Sequence, residues 1–104
     1  MIPTIQLGDV TVDSAKFSAV CQRYHVQELS LFGSAARGEI KPGSDLDLLV
    51  TFLPAAAIDL VDYASLMLEL SKLLERKVDL VSKRGLKPSI RDSVLRDARL
   101  LYAA

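Results

Sequence analysis

The stretch Leu29-Ser30-Leu31-Phe32-Gly33-Ser34-Ala35-Ala36-Arg37-Gly38 and, beyond residues 39–43, Ser44-Asp45-Leu46-Asp47-Leu48-Leu49-Val50 decides the fold. Glu28 to Phe32 alternates over a short run, the pattern of a half-buried strand. It stops at Gly33-Ser34, and Ser34 to Arg37 reads as a helical turn closed by Gly38. Lys41-Pro42-Gly43-Ser44 is a turn cluster. Leu46, Leu48, Leu49, Val50 and Phe52 then form a strongly apolar strand that Pro54 ends. The link between the two strands is too short for a helical crossover, which makes them antiparallel neighbours.

Working outward, Asp13 has the short acceptor side chain of an N-cap. Phe17, Val20, Cys21 and Tyr24 follow it at helical spacing, and that helix should end near His25. Residues 1–12 are weakly patterned and read as a short extended arm. Asp59 caps a long helix to about Arg76, with Leu60, Tyr63, Ala64, Met67, Leu70 and Leu74 as its main stripe. Leu66, Leu68 and Leu73 widen that stripe beyond what one small core needs. Lys77 to Ser82 is a third strand, which the intervening helix allows to run parallel to the second. Gly85 marks a turn and Pro88 suits the first position of a last helix, lined by Ile90, Val94, Ala98, Leu101 and Tyr102. The expected fold is α+β in two layers: a small mixed three-stranded sheet with helices on one face, one domain over residues 1–104.

Half the 104 residues are apolar and a quarter charged, the composition of a folded globular chain. Thirteen basic residues balance thirteen acidic ones, which argues against nucleic-acid binding driven by bulk charge. One cysteine and one histidine exclude a disulfide framework and a structural Cys/His zinc site. No apolar run is long enough to cross a bilayer, and the N-terminus lacks signal-peptide character, so the expected setting is the cytoplasm without a membrane. Charge is uneven: Lys83 to Arg99 holds six basic and two acidic residues, a net of +4. Such a segment is a solvated helix face or a surface for phosphates or an acidic partner.

Asp45 and Asp47 carry the chemistry. Residues i and i+2 of a strand point to one side, so both carboxylates project together while Leu46 and Leu48 point into the core. Two like charges side by side are unfavourable unless a cation joins them. Hard divalent ions such as Mg²⁺ suit carboxylate oxygens, and the chain offers almost no nitrogen or thiolate ligands. Asp79, an acid between Val78 and Leu80, is a third candidate ligand if its strand neighbours the second. Three such carboxylates can hold two Mg²⁺ ions for phosphoryl-group chemistry. Gly33 lets the backbone approach a phosphate, and Ser34 opens a helical turn whose free amides suit an anion. Arg37, three residues on, falls on the same side as Ser34.

Together, Gly33-Ser34-Ala35-Ala36-Arg37-Gly38, Ser44-Asp45-Leu46-Asp47-Leu48-Leu49-Val50 and Val78-Asp79-Leu80-Val81 resemble the nucleotidyltransferase superfamily that includes DNA polymerase beta. The likeness runs from about Leu29 to Tyr102, and the size resembles the minimal nucleotidyltransferases (MNT) paired as antitoxins with HEPN-domain ribonuclease toxins. The resemblance implies that Gly33, Ser34, Arg37 and Ser44 bind the nucleotide, usually ATP. It implies that Asp45 and Asp47 hold two Mg²⁺ ions, and that Asp79 holds the catalytic metal and helps deprotonate the acceptor. AMP would pass to a tyrosine hydroxyl of a HEPN toxin and silence it. Two alternatives stand beside this: an antitoxin acting by stoichiometric binding, and a transferase with a small-molecule or RNA acceptor. Homo- or hetero-oligomeric assembly is left open.

Overall fold

The computed structural model describes residues 4–7, 10–33, 36–38 and 45–104. The elements run β1 (Thr4–Leu7), β2 (Val10–Asp13), α1 (Ser14–Arg23), β3 (Val26–Phe32), β4 (Leu46–Phe52), α2 (Leu60–Leu74), β5 (Val78–Ser82), a 3-10 turn (Lys83–Gly85), α3 (Pro88–Asp97) and β6 (Arg99–Ala103). The main sheet has the order β5-β4-β3-β6. β3 is antiparallel to both β4 and β6, and β4 is parallel to β5. The expected α+β class, the antiparallel β3–β4 pair and the parallel β4–β5 pair all hold.

Local chemistry explains the two core helices. Asp13 caps α1 by accepting from the Ala15 and Lys16 amides at 2.8 and 3.4 Å. Asp59 and Asp62 form a reciprocal capping box at the start of α2. Both helices pack on one face of the sheet. Phe17, Val20 and Cys21 of α1 and Leu66, Leu70 and Leu74 of α2 meet Leu46, Leu48 and Val50 of β4 and Val78 and Leu80 of β5. Arg23 and Tyr24 both donate to the Glu69 carboxylate and tie α1 to α2. Those bonds hold the Glu69 carboxyl below its ordinary value, the Tyr24 hydroxyl contributing most. Cys21 is a small buried hydrophobe as expected, and burial pushes its thiol up to about 12.

Four expectations need correction. The arm over residues 1–12 contains a hairpin, β1 paired antiparallel with β2, and its Leu7, Val10 and Val12 enter the core. Among the described residues the main sheet has four strands, not three, because the chain beyond Ala98 is extended. Ala98 has φ −63° and ψ 135°, which ends α3, so Leu101 and Tyr102 belong to β6. α3 buries no residue, and Ile90 is 47% exposed. Finally, the phase of α2 differs: Leu66 is core, whereas Leu60, Val61 and Leu68 face solvent.

β4–α2–β5 steps one way across the sheet, and β5–α3–β6 steps back past β4 and β3. Leu49, on the face away from α1 and α2, is only 4% exposed although it lies outside the main core cluster. No helix among the described residues is long and apolar enough to cross a membrane.

Candidate active site

The register of β4 against β5 builds the site. Leu46 pairs with Val78, Asp47 with Asp79 and Leu48 with Leu80. The leucines and valine point into the core, so Asp47 and Asp79 emerge side by side on the opposite face. Asp45, two residues before Asp47, projects to the same side and lies 3.9 Å from Lys77 Nζ, two residues before Asp79. Thus the same face carries an ion pair at one level and a carboxylate pair at the next.

β3 brings the glycine. Phe32 is the partner of Asp47, and Gly33 follows it with φ 72°. A Cβ at Gly33 would stand 2.9 Å from Asp47 Oδ2. Both the left-handed backbone and the close approach therefore require glycine here. Asp47 is the electrostatic centre of this group. Its carboxyl is pushed up, first by burial and then by the charges of Asp79 and Asp45. The Asp79 charge is also felt at Tyr63 of α2, whose hydroxyl is raised first by burial and then by that charge.

Arg37 is half-exposed and lies 3.6 Å from Asp97 near the end of α3. Sequence reasoning missed both Lys77 and Asp97 as partners of site residues. Lys77 was legible as the i−2 neighbour of Asp79, whereas nothing local to Asp97 marks it. Ser34 and Ser44 lie outside the described residues. The structure therefore brings Asp47, Asp79 and Gly33 together, with Asp45 beside them and Arg37 on a separate ion pair.

The three aspartates fit a hard cation by donor chemistry. They supply carboxylate oxygens alone, and the like charges that raise Asp47 are those a cation would neutralise. Among the described residues, no three carboxylate, imidazole or thiol side chains converge into a ready metal cluster. Asp45 is half-exposed and ion-paired with Lys77. A cavity of about 680 Å³ lies at the other end of β4, lined by Tyr24, His25, Leu53, Ala56 and Ile58 among others. It does not coincide with the carboxylates.

The nucleotidyltransferase domain model matches residues 15–101. The chain is 42% identical over 76 residues to the protein adenylyltransferase MntA of Thermococcus cleftensis, covering 73% of this chain and 75% of that protein. A solved structure of a candidate minimal nucleotidyltransferase aligns with TM-score 0.68 at 42% identity, covering 86% of this chain and 87% of the other. A toxin–antitoxin structure with AMP-PNP aligns with TM-score 0.70 at 24% identity, over 89% and 75% of the two chains. The complex of a tri-AMPylated Shewanella oneidensis HEPN toxin with its MNT antitoxin aligns with TM-score 0.61 at 22% identity, over 88% and 70%. The last two likenesses concern the fold alone. With the domain model spanning most of the chain and close relatives covered over most of their length, the chain belongs to the nucleotidyltransferase domain family and is a nucleotidyltransferase.

Proposed function

We propose that this chain is a Mg²⁺-dependent protein adenylyltransferase, an antitoxin that transfers AMP from ATP to a tyrosine hydroxyl of a cytoplasmic HEPN toxin. The observation that carries the reading is the level pairing of Asp47 with Asp79 beneath the Gly33 backbone. The name of the Thermococcus relative supports protein adenylylation, and the Shewanella complex supports a HEPN toxin as partner. The AMP-PNP complex supports an adenine nucleotide as donor.

In this reading Asp45, Asp47 and Asp79 hold two Mg²⁺ ions. The ions would supply the positive charge that activates the acceptor oxygen and neutralises the departing pyrophosphate. Gly33, with no side chain, leaves its backbone open to the triphosphate. Ser34 and Ser44 add hydroxyl donors, and Arg37 adds a guanidinium once it leaves Asp97. Asp79 accepts the proton of the attacking hydroxyl. The acceptor oxygen bonds to the α-phosphorus as the bond to pyrophosphate breaks.

Intact-protein mass spectrometry of a HEPN partner incubated with this chain and Mg-ATP tests the reading. The expected result is a gain of one or more AMP units, absent with the Asp45→Asn/Asp47→Asn variant. One observation favours a second reading, an antitoxin that neutralises by binding alone: Asp45 is ion-paired with Lys77, and among the described residues no three such side chains gather as a metal cluster. On that reading the variant still protects cells from the toxin and no mass is gained.

A further inference from the structure

Asp79 stands on an edge strand: β5 has β4 on one side and no strand on the other among the described residues. The Lys77 carbonyl accepts from the Leu46 amide at 3.0 Å, so the backbone groups of residues 77, 79 and 81 face β4. Those of Val78 and Leu80 face the free edge. Helix α2 reaches both. Ser71 Oγ accepts from the Val78 amide at 3.1 Å, and Tyr63 Oη donates to the Leu80 carbonyl at 2.6 Å. The Ser71 hydroxyl donates in turn to the Met67 carbonyl at 2.8 Å, which orients its lone pairs.

We propose that Tyr63 and Ser71 are positioning residues for nucleotidyl transfer, pinning the free edge of β5 one residue before and one residue after Asp79 so that it stays level with Asp47. The proposal rests on the carboxylate reading above. An unprotected edge opens locally at low cost, and parallel pairing is the weaker kind. A slip of one residue would turn Asp79 to the core face and present Val78 or Leu80 to the site. Both pins are part-buried, which shields them from water. They come from one rigid, capped helix, so they fix the spacing as well as the contact. The Tyr63 ring also packs against Phe52 with centroids 6.2 Å apart, so loss of the hydroxyl alone leaves that packing in place.

The full-length chain is compared with Tyr63→Phe, Ser71→Ala, Ser71→Thr and Asp79→Asn. Mn²⁺ affinity is read by electron paramagnetic resonance, the Mg²⁺ requirement by AMP transfer, and amide exchange over residues 78–81 by mass spectrometry. Supporting groups of metal ligands are commonly worth about tenfold or more. Tyr63→Phe and Ser71→Ala should therefore each weaken Mn²⁺ binding about tenfold, raise the Mg²⁺ requirement to match, and speed exchange at 78–81. Ser71→Thr, which keeps the hydroxyl, should restore both. Wild-type Mn²⁺ affinity and Mg²⁺ requirement in Tyr63→Phe and Ser71→Ala overturn the proposal, even if exchange quickens or melting falls. Should one of the two fail to fold, the other decides; failure of both makes the bonds fold determinants and overturns it too. If Asp79→Asn binds Mn²⁺ like the wild type, the carboxylate reading itself falls. If Asp79→Asn alone loses binding, only the pin falls.

Discussion

The two faces of β4 put opposite demands on neighbouring residues. Leu46, Leu48 and Val50 are wholly buried against α1 and α2. Asp47, between the first two, is partly buried among carboxylates, with its own carboxyl pushed up. Seven residues thus divide their labour with the two-residue period of a strand: even positions hold the sheet to the helices, and Asp47 faces the chemistry. One face is built for burial, and the other accepts an electrostatic cost that a bound cation would remove.

The largest expected effect breaks the polar face. Asp47→Asn should lower AMP transfer by about 10³-fold, in line with the several kcal/mol a bound metal supplies, as read by radiolabelled AMP incorporation. The same variant should melt higher than wild type at neutral pH without divalent ions. The sign follows from the raised carboxyl. A folded-state value above the unfolded one favours the protonated form, so the ionised group weakens the fold once pH exceeds the folded value. The gain from Asn should therefore fade as pH falls through the raised value and vanish below the unfolded value of about 3.9. Calorimetric melting at several pH values checks it. Breaking the apolar face does the reverse: Leu48→Ala should cost about 2–5 kcal/mol in urea titration.

Gly33→Ala joins the two effects. The left-handed backbone costs an alanine about 1–2 kcal/mol, and its methyl would meet Asp47 Oδ2. Melting should fall by that amount, while AMP transfer falls further than the melting predicts. Asp59→Ala removes the side-chain half of the α2 capping box, far from the carboxylates. It should cost about 1 kcal/mol of stability with AMP transfer unchanged below the melting range. The smallest effect sharpens the contrast between buried and exposed leucines of α2. Leu68→Ser, at a position 61% exposed, should move stability by no more than about 0.5 kcal/mol.

Most of this division was legible in the sequence. Asp13 and Asp59 announced their helices because capping is local chemistry, and the alternation around Asp45 and Asp47 placed them on one face. The parallel β4–β5 pair followed from the helix between them. What escaped depends on distant contacts. Leu101 and Tyr102 continue the apolar spacing of α3 and carry no glycine or proline before them, so only pairing with β3 reveals a strand. The hairpin was readable after the fact: Leu7, Val10 and Val12 flank Gly8-Asp9, a turn pair. At the site, the Arg37–Asp97 pair joins residues sixty positions apart and has no local signature.

The late position of β6 bears on how safely the chain is made. β3 sits inside the sheet only because β6 covers its second side, with the Ala104 amide reaching the Gln27 carbonyl at 2.8 Å. Until residues 99–103 leave the ribosome, β3 is a seven-residue open edge carrying Leu29 and Leu31. Such an edge recruits strands from other chains. A break in synthesis between α3 and β6 would therefore leave an intact carboxylate pair on a molecule prone to aggregate.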